Sequence, residues 1–286
     1  MPTQAPTDRL SAILERFRVQ ARLHYTGMLC GHHHFDACDG YGYLHVLRRG
    51  QLEVTHPGTA DVPRSMQFDE PALLLYPRPV THHFHNPPRE GADFTCARLI
   101  LDGGAHNPLA RALPAFVALP LAQVSGLELA LELLQTETER PRCGQRVLVD
   151  RIFEVVVIQI LRWMLDHPQQ AGIHPGLIAG LSEPRLARAL SAMHEEPGAS
   201  WSLERMAERA GMSRTAFAAA FRQIVGQTPA DYLTDWRLAL ARSRLRQGVS
   251  LKVLADELGY ANPSALSRAF TAKLGMSPRQ WLSHGV

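Results

Sequence analysis

The sequence predicts an α+β, multidomain fold, with an N-terminal β-barrel and flanking helices followed by an all-α domain carrying two helix-turn-helix motifs. Three observations point there. Trp201 to Leu282 repeats itself; Ala21 to Leu101 reads as short strands broken by Gly and Pro; and a Pro/Gly-rich segment separates the two textures.

Leu10, Ile13, Leu14 and Phe17 recur at helical spacing, so a short amphipathic helix is expected over Asp8 to Arg18. Strand patterns follow. Tyr43–Leu47 and Leu52–Val54, separated by Arg48-Arg49-Gly50-Gln51, read as a hairpin. Ala72 to Tyr76 is a buried-strand run closed by Pro77-Arg78-Pro79. His82–His85 and Phe94–Leu101 read as two more strands around the loop Asn86 to Gly91. Many short strands with such punctuation suggest a small barrel or sandwich. Leu121–Thr138 and Gln145–Leu165 are helix-like. The second carries Leu148, Ile152, Val155, Val156 and Gln159 on one face, an apolar surface that needs covering by the barrel or by a second chain. His167 to Gly180, with two prolines and three glycines, reads as a linker, and Pro184 to His194 as the leading helix of the last domain.

The repeat then begins. Trp201-Ser202-Leu203 aligns with Val249-Ser250-Leu251 and Gly211 with Gly259, 48 positions apart. After one inserted residue Phe217 meets Leu266, Phe221 meets Phe270, Gly226 meets Gly275 and Tyr232 meets Trp281. A repeat usually marks one supersecondary unit used again. Ser202 and Ser250 are N-caps for the first helix of each unit; Ser213 and Asn262, the latter followed by Pro263 at the first helical position, cap the second. Gly211 and Gly259 supply the left-handed residue that ends a helix. Two helices around a glycine turn make a helix-turn-helix, whose second helix can enter a DNA major groove. From Thr228-Pro229 a connector helix should run to about Gln247, roughly 28 Å at ~1.5 Å per residue.

Ala207-x3-Gly211-Met212-Ser213, Gly226-x-Thr228-Pro229-x2-Tyr232-Leu233, Gly259-Tyr260 and Phe270-x4-Gly275-x-Ser277-Pro278 together resemble the DNA-binding domain of the AraC/XylS transcription regulators, from about Leu181 onward. The resemblance implies two recognition helices in adjacent major-groove segments of a double-stranded promoter or operator, contact with RNA polymerase, and homodimerisation. The DNA-facing residues are then Arg214, Thr215, Ala218 and Ala219 in unit one, and Ser264, Ser267 and Arg268 in unit two. Arg268 suits bidentate recognition of guanine, or otherwise a phosphate. Ala219 stands where unit two has Arg268, so unit two should carry most base discrimination.

The hairpin ending at Gly50, Leu73-Leu74-Leu75-Tyr76-Pro77-x4-His82-x3-Asn86 and Asn107-Pro108-Leu109-x3-Leu113-Pro114 resemble the cupin-like effector domain of such regulators. That resemblance implies a small-molecule effector near His45 and His82. The chain departs from the general cupin pattern at Pro79, where a glycine is usual, and keeps only His45 of the His-x-His…Glu metal set. Domains are therefore expected at 1–120 (cupin-like), 121–167 (helical packing or dimerisation), 168–180 (linker) and 181–286 (DNA-binding).

Charge agrees with this division. The chain of 286 residues is +3 overall, but 181–286 holds 14 basic against 9 acidic residues, and 1–180 holds 16 against 18. The basic half is the one expected to meet phosphates. Twelve of the 14 histidines and all four cysteines lie in the other half. On a strand, residues two apart share a face, so His32 with His34, or His83 with His85, could offer two imidazoles to a divalent metal; ordinary hydrogen-bonded histidines are the alternative. No thiol stands beside an obvious activating base in the sequence. No secretory h-region opens the chain, and the most apolar run, Val155–Leu165, is too short to span a bilayer; a cytoplasmic protein with reduced thiols, not associated with membranes, is expected. A metal-dependent cupin enzyme fused to a DNA-binding domain is the alternative to a regulator, opposed by the broken metal set and the lack of a nucleophile–base pair. No further cofactor is expected.

Overall fold

The computed structural model describes residues 7–86 and 91–283; Pro87 to Glu90 of the expected loop lie outside the described residues. Helix α1 (Ser11–Arg16) precedes strands β1 (Val19–Leu29), β2 (Gly31–Phe35), β3 (Gly42–Gly50), β4 (Leu52–Thr55), β5 (Ser65–Phe68), β6 (Ala72–Tyr76), β7 (His82–Asn86) and β8 (Ala92–Leu101). Helix α2 (Pro108–Ala112) and strand β9 (Val117–Pro120) follow, then α3 (Glu128–Glu139) and α4 (Gln145–Asp166). The remainder is helical: α5 (Leu177–Ser182), α6 (Pro184–Glu195), α7 (Leu203–Ala210), α8 (Arg214–Val225), α9 (Pro229–Arg246), α10 (Leu251–Glu257), α11 (Pro263–Leu274) and α12 (Pro278–Ser283).

Contacts divide the chain into two compact units. The first comprises Val19–Ala105 and Leu113–Ile173. Its strands form two antiparallel sheets, β1-β8-β3-β6-β9 and β2-β7-β4-β5. Tyr43, Leu74, Tyr76 and Phe94 from one sheet and Phe35, Val54 and Phe84 from the other share one buried cluster, so the sheets pack face to face. β3 and β4 are not the hairpin the sequence suggests. β3 pairs with β6 and β8, whereas β4 pairs with β5 and β7, so the chain crosses between sheets at Gly50. Gly50 has φ 96°, and a Cβ there would lie 2.6 Å from the Gly91 carbonyl oxygen, which leaves no side chain tolerable.

Helix α4 lies along β1, where Asp150 Oδ1 accepts from the Leu23 amide (2.8 Å) at a register shift in the strand. Its buried side is Val149, Ile152, Phe153, Val156, Val157 and Ile160. Leu148 and Val155, expected on the same face as Ile152 and Val156, are instead exposed together with Val147.

The second unit holds the residues before Val19, His106–Ala112 and His174 onward. The sequence-drawn boundaries put the first two of these with the strands. They group otherwise because Phe17 meets Trp236 edge-on at 5.2 Å, while Arg16 Nε and Nη2 donate to the His194 and Glu195 carbonyl oxygens at 3.0 and 2.7 Å. Helix α2, capped by Asn107 Oδ1 on the Leu109 and Ala110 amides, packs against α5. The last four residues of the expected linker, Leu177 to Gly180, are instead the start of α5, with Leu177 and Ile178 buried.

Within this unit the capping read from sequence is present. Ser202, Ser213, Thr228, Ser250 and Asn262 each accept from the backbone amide three residues on. Gly211, Gly226 and Gly275 close α7, α8 and α11 at φ 65°, 82° and 73°. Gly259, in the second turn, faces Gly198 in the loop after α6. A Cβ on Gly259 would lie 2.3 Å from the Gly198 carbonyl oxygen, and one on Gly198 2.4 Å from that of Glu257. Arg237 of α9 fastens the same place, its Nε and Nη2 donating to the Pro197 and Ala199 carbonyl oxygens at 2.7 and 3.1 Å.

Candidate nucleic-acid interface and sheet interior

The second helix of each repeat unit is held from behind by aromatic residues, leaving its other side free. Phe217 and Phe221 bury one side of α8, Leu266 and Phe270 one side of α11. The opposite sides present the seven residues expected to face DNA. Arg214, Thr215, Ala219, Ser264 and Arg268 are exposed, and Ala218 and Ser267 are half-buried. The 18-residue α9 joins the units, about 27 Å long at ~1.5 Å per residue.

The two arginines differ in their free state. Arg214 Nη1 lies 2.6 Å from Glu204 Oε1, and that hydrogen bond lowers the Glu204 carboxyl pKa. A phosphate or base that takes the Nη1 donor of Arg214 competes with Glu204. Arg268 has no hydrogen bond or ion pair among the described residues. Arg268 can therefore turn to a base edge without breaking a prior bond, while its repeat-equivalent Ala219 offers only a methyl group.

Inside the strand unit, polar residues form a closed chain. His82 Nδ1 lies 2.8 Å from the Val80 carbonyl oxygen, which can only accept, so Nδ1 carries the proton and Nε2 is the acceptor. His45 Nε2, 2.9 Å away, then donates to it. That leaves His45 Nδ1 as an acceptor for the Cys96 thiol at 3.0 Å. His56 repeats the logic nearby: Nδ1–H donates to Pro63 O (2.5 Å), and Nε2 accepts from the Tyr76 hydroxyl (2.9 Å). Tyr76 and Phe35 stack on the His82 ring at 3.9 and 4.8 Å. His45, His82 and Cys96 are all 0% exposed. Burial pushes His45 well below its usual range and His82 down to about 3, and raises the Cys96 thiol, so every member is neutral at pH 7.

This arrangement bears on two sequence readings. A thiol does stand beside an imidazole, because β3 and β8 pair in a register that puts His45 opposite Cys96; 51 residues separate them along the chain. Full burial keeps that thiol protonated, so the pair is a structural hydrogen bond rather than a nucleophile and its base. His45 and His82, expected to touch an effector, spend their polar atoms on each other and on Val80 and Cys96.

On the outer face, β2 and β7 are neighbours, with His32 opposite His85 and His34 opposite His83. The pairs run across the strands, not along them as the two-residue spacing suggests. Among the described residues no set of three or more His, Cys, Asp or Glu side chains is placed to hold one ion. No described helix is long and apolar enough to cross a membrane.

Comparison with known proteins places these features. Residues 8–166 match the cupin family, and residues 206–284 match a helix-turn-helix domain model. The chain belongs to the AraC-type regulators, as a cupin domain joined to a paired helix-turn-helix domain. It is 37% identical over 151 residues to a putative AraC-like transcription regulator of Streptomyces lividans, covering 52% of this chain and 49% of that one. It is 31% identical to the transcriptional regulator AlkR of Acinetobacter baylyi, covering 67% and 63% respectively. The chain thus spans about half to just under two thirds of the length of these curated relatives. Among solved structures it is similar to the DNA-binding domain of AdpA, a global transcriptional factor crystallised with a target DNA. That match has 30% identity and a TM-score of 0.32, over 34% of this chain and 89% of that one. Apart from these matches, the cupin domain's two-sheet form and the repeated caps stand on the geometry above.

Proposed function

We propose that this AraC-type chain is a sequence-specific regulator of transcription that reads double-stranded promoter DNA through α8 and α11 and responds to a small effector through its cupin domain. The observation that carries the reading is the pair of recognition helices, each capped, each packed through two large apolar side chains four residues apart, and each with an exposed outer side. The helix macrodipole, equivalent to roughly +0.5 charge at a helix N-terminus, adds to the basic character of this half, favouring phosphate. Arg268 is the principal base reader, and Arg214 and Thr215 supplement it.

The regulator acts as a homodimer through the outer side of α3 and α4. Leu129 and Leu133 on α3 and Val147, Leu148 and Val155 on α4 are exposed large apolar residues, with Leu129 at 79% and Val147 at 65%. A second copy of this surface is the occupant that buries them symmetrically. Contact with RNA polymerase and a location in the cytoplasm go with the same reading. No catalytic role is assigned, since the Cys96–His45–His82 chain is buried and its hydrogen-bonding capacity is used. Effector contact with His45 or His82 requires the aromatic packing around them to open. Effectors that bind elsewhere on the cupin domain leave them as framework.

Selection from a randomised duplex library with the full chain tests the proposal. It predicts enrichment of one sequence protected in two zones about one helical turn, ~34 Å, apart. Recovery of no preferred sequence contradicts it.

A further inference from the structure

The outer face of the β2–β7 ladder carries four imidazoles in two rows. In the first row His32 Nδ1 and His85 Nδ1 face each other at 2.5 Å. In the second, the His34 and His83 rings lie 4.2 Å apart between centroids. His32 and His34 are exposed, His83 and His85 half-buried.

We propose that the His32–His85 pair is a binding site for a divalent first-row transition-metal ion, with His34 and His83 as its flanking imidazoles. The ring of His85 is already set for this role. Its Nε2 lies 3.1 Å from Thr55 Oγ1 of β4. With Nε2–H donating to that hydroxyl, the Nδ1 lone pair points at His32. Ligating histidines are commonly oriented this way through their other nitrogen. Metal–nitrogen bonds of about 2.0–2.1 Å place the two donors about 2.9 Å apart at a right angle and about 3.3 Å apart at the tetrahedral angle zinc prefers. The present separation of 2.5 Å therefore needs to open by about half to nearly one ångström, within reach of an exposed rotamer. Glu53 stands opposite His85 on the β4 side, its Oε1 accepting from Ser65 Oγ at 2.9 Å, and adds negative charge to the same row. Two protein ligands leave the remaining positions to water, which suits an exchangeable ion bound from solution. Imidazole donors select zinc, nickel or copper over magnesium.

The test is calorimetric titration of the tag-free full chain with Ni2+, Zn2+ and Mg2+ at neutral pH in a weakly coordinating buffer. The proposal expects saturable Ni2+ and Zn2+ binding near one equivalent and none with Mg2+. The paired variant H32Q/H85Q should lose at least ~10-fold in affinity, and Thr55→Val several-fold through the freed His85 ring. His24→Gln, in the same unit but outside the ladder, should bind as the wild type does. Electron paramagnetic resonance of the Cu2+-loaded wild type supplies a readout independent of any variant's folding, and should show coupling to imidazole nitrogen. Equal affinity for the wild type and H32Q/H85Q, Mg2+ binding as tight as Ni2+, or a Cu2+ spectrum without nitrogen coupling would each overturn the proposal.

Discussion

Phe270 and Trp281 meet edge-to-face, their ring centroids 5.9 Å apart at 72°, and Phe221 and Tyr232 meet the same way at 5.6 Å and 73°. The two pairs occupy equivalent places in the repeat, so the duplication extends from sequence to packing. In each unit the contact ties the recognition helix to the start of the helix that follows. Trp281→Ala should cost about 3–5 kcal/mol of local stability, the usual range for deleting a buried aromatic. Chemical denaturation followed by far-ultraviolet circular dichroism reads it. A loss under 1 kcal/mol would show that this contact does not hold α11.

Gly259→Ala tests the close approach of the second turn to the loop after α6. The new methyl meets the Gly198 backbone, and φ 71° disfavours any side chain. Destabilisation should exceed the ~1 kcal/mol expected from the left-handed conformation alone, because backbone cannot move aside as a flexible side chain would. A thermal melt unchanged by the substitution would contradict the close approach.

His194 predicts a pH dependence. It is fully buried, its Nε2 2.5 Å from the Tyr232 hydroxyl, and burial, with Arg16 adding to it, lowers its pKa to about 3. The folded chain keeps this imidazole neutral while the unfolded chain protonates it below about 6.5. Its contribution is therefore complete above pH 6.5 and declines as pH falls towards 3, by about 1.4 kcal/mol per pH unit. The stability advantage of the wild type over His194→Gln should shrink accordingly between pH 7 and pH 4. A constant difference would contradict a neutral His194.

The helical half was the more legible in sequence because its signals are local. Caps such as Ser213, glycines such as Gly211 and the four-residue spacing of Phe217 and Phe221 all act within a turn or two of chain. The strand half depends on pairing between distant segments. Nothing near Arg48-Arg49-Gly50 distinguishes a hairpin from a crossing between sheets, since the close approach of Gly91 decides it. The same distance hid the Cys96–His45 bond and the placing of His32 opposite His85. Phe17 reads as the apolar stripe of a short helix, and only the fold shows that Trp236 is its partner.

The exposed apolar side of α3 and α4 predicts self-association. Leu129→Glu with Val155→Glu should shift the full chain from dimer to monomer in sedimentation, since charge cannot be buried there without a partner. A wild-type chain that sediments as a monomer throughout the working concentration range would remove this surface from the account.

The central claim is that α8 and α11 read duplex sequence, with Arg268 as the main reader. The most direct measurement is the affinity of the full chain, wild type and Arg268→Ala, for its selected duplex and for a scrambled one, between about 50 and 200 mM salt. The wild type should prefer the selected duplex and weaken steeply with salt on both. Arg268→Ala should lose ~1–3 kcal/mol on the selected duplex alone, whereas Ala219→Ser changes little. Equal binding of both duplexes by the wild type, or no binding to either at low salt, would contradict the claim.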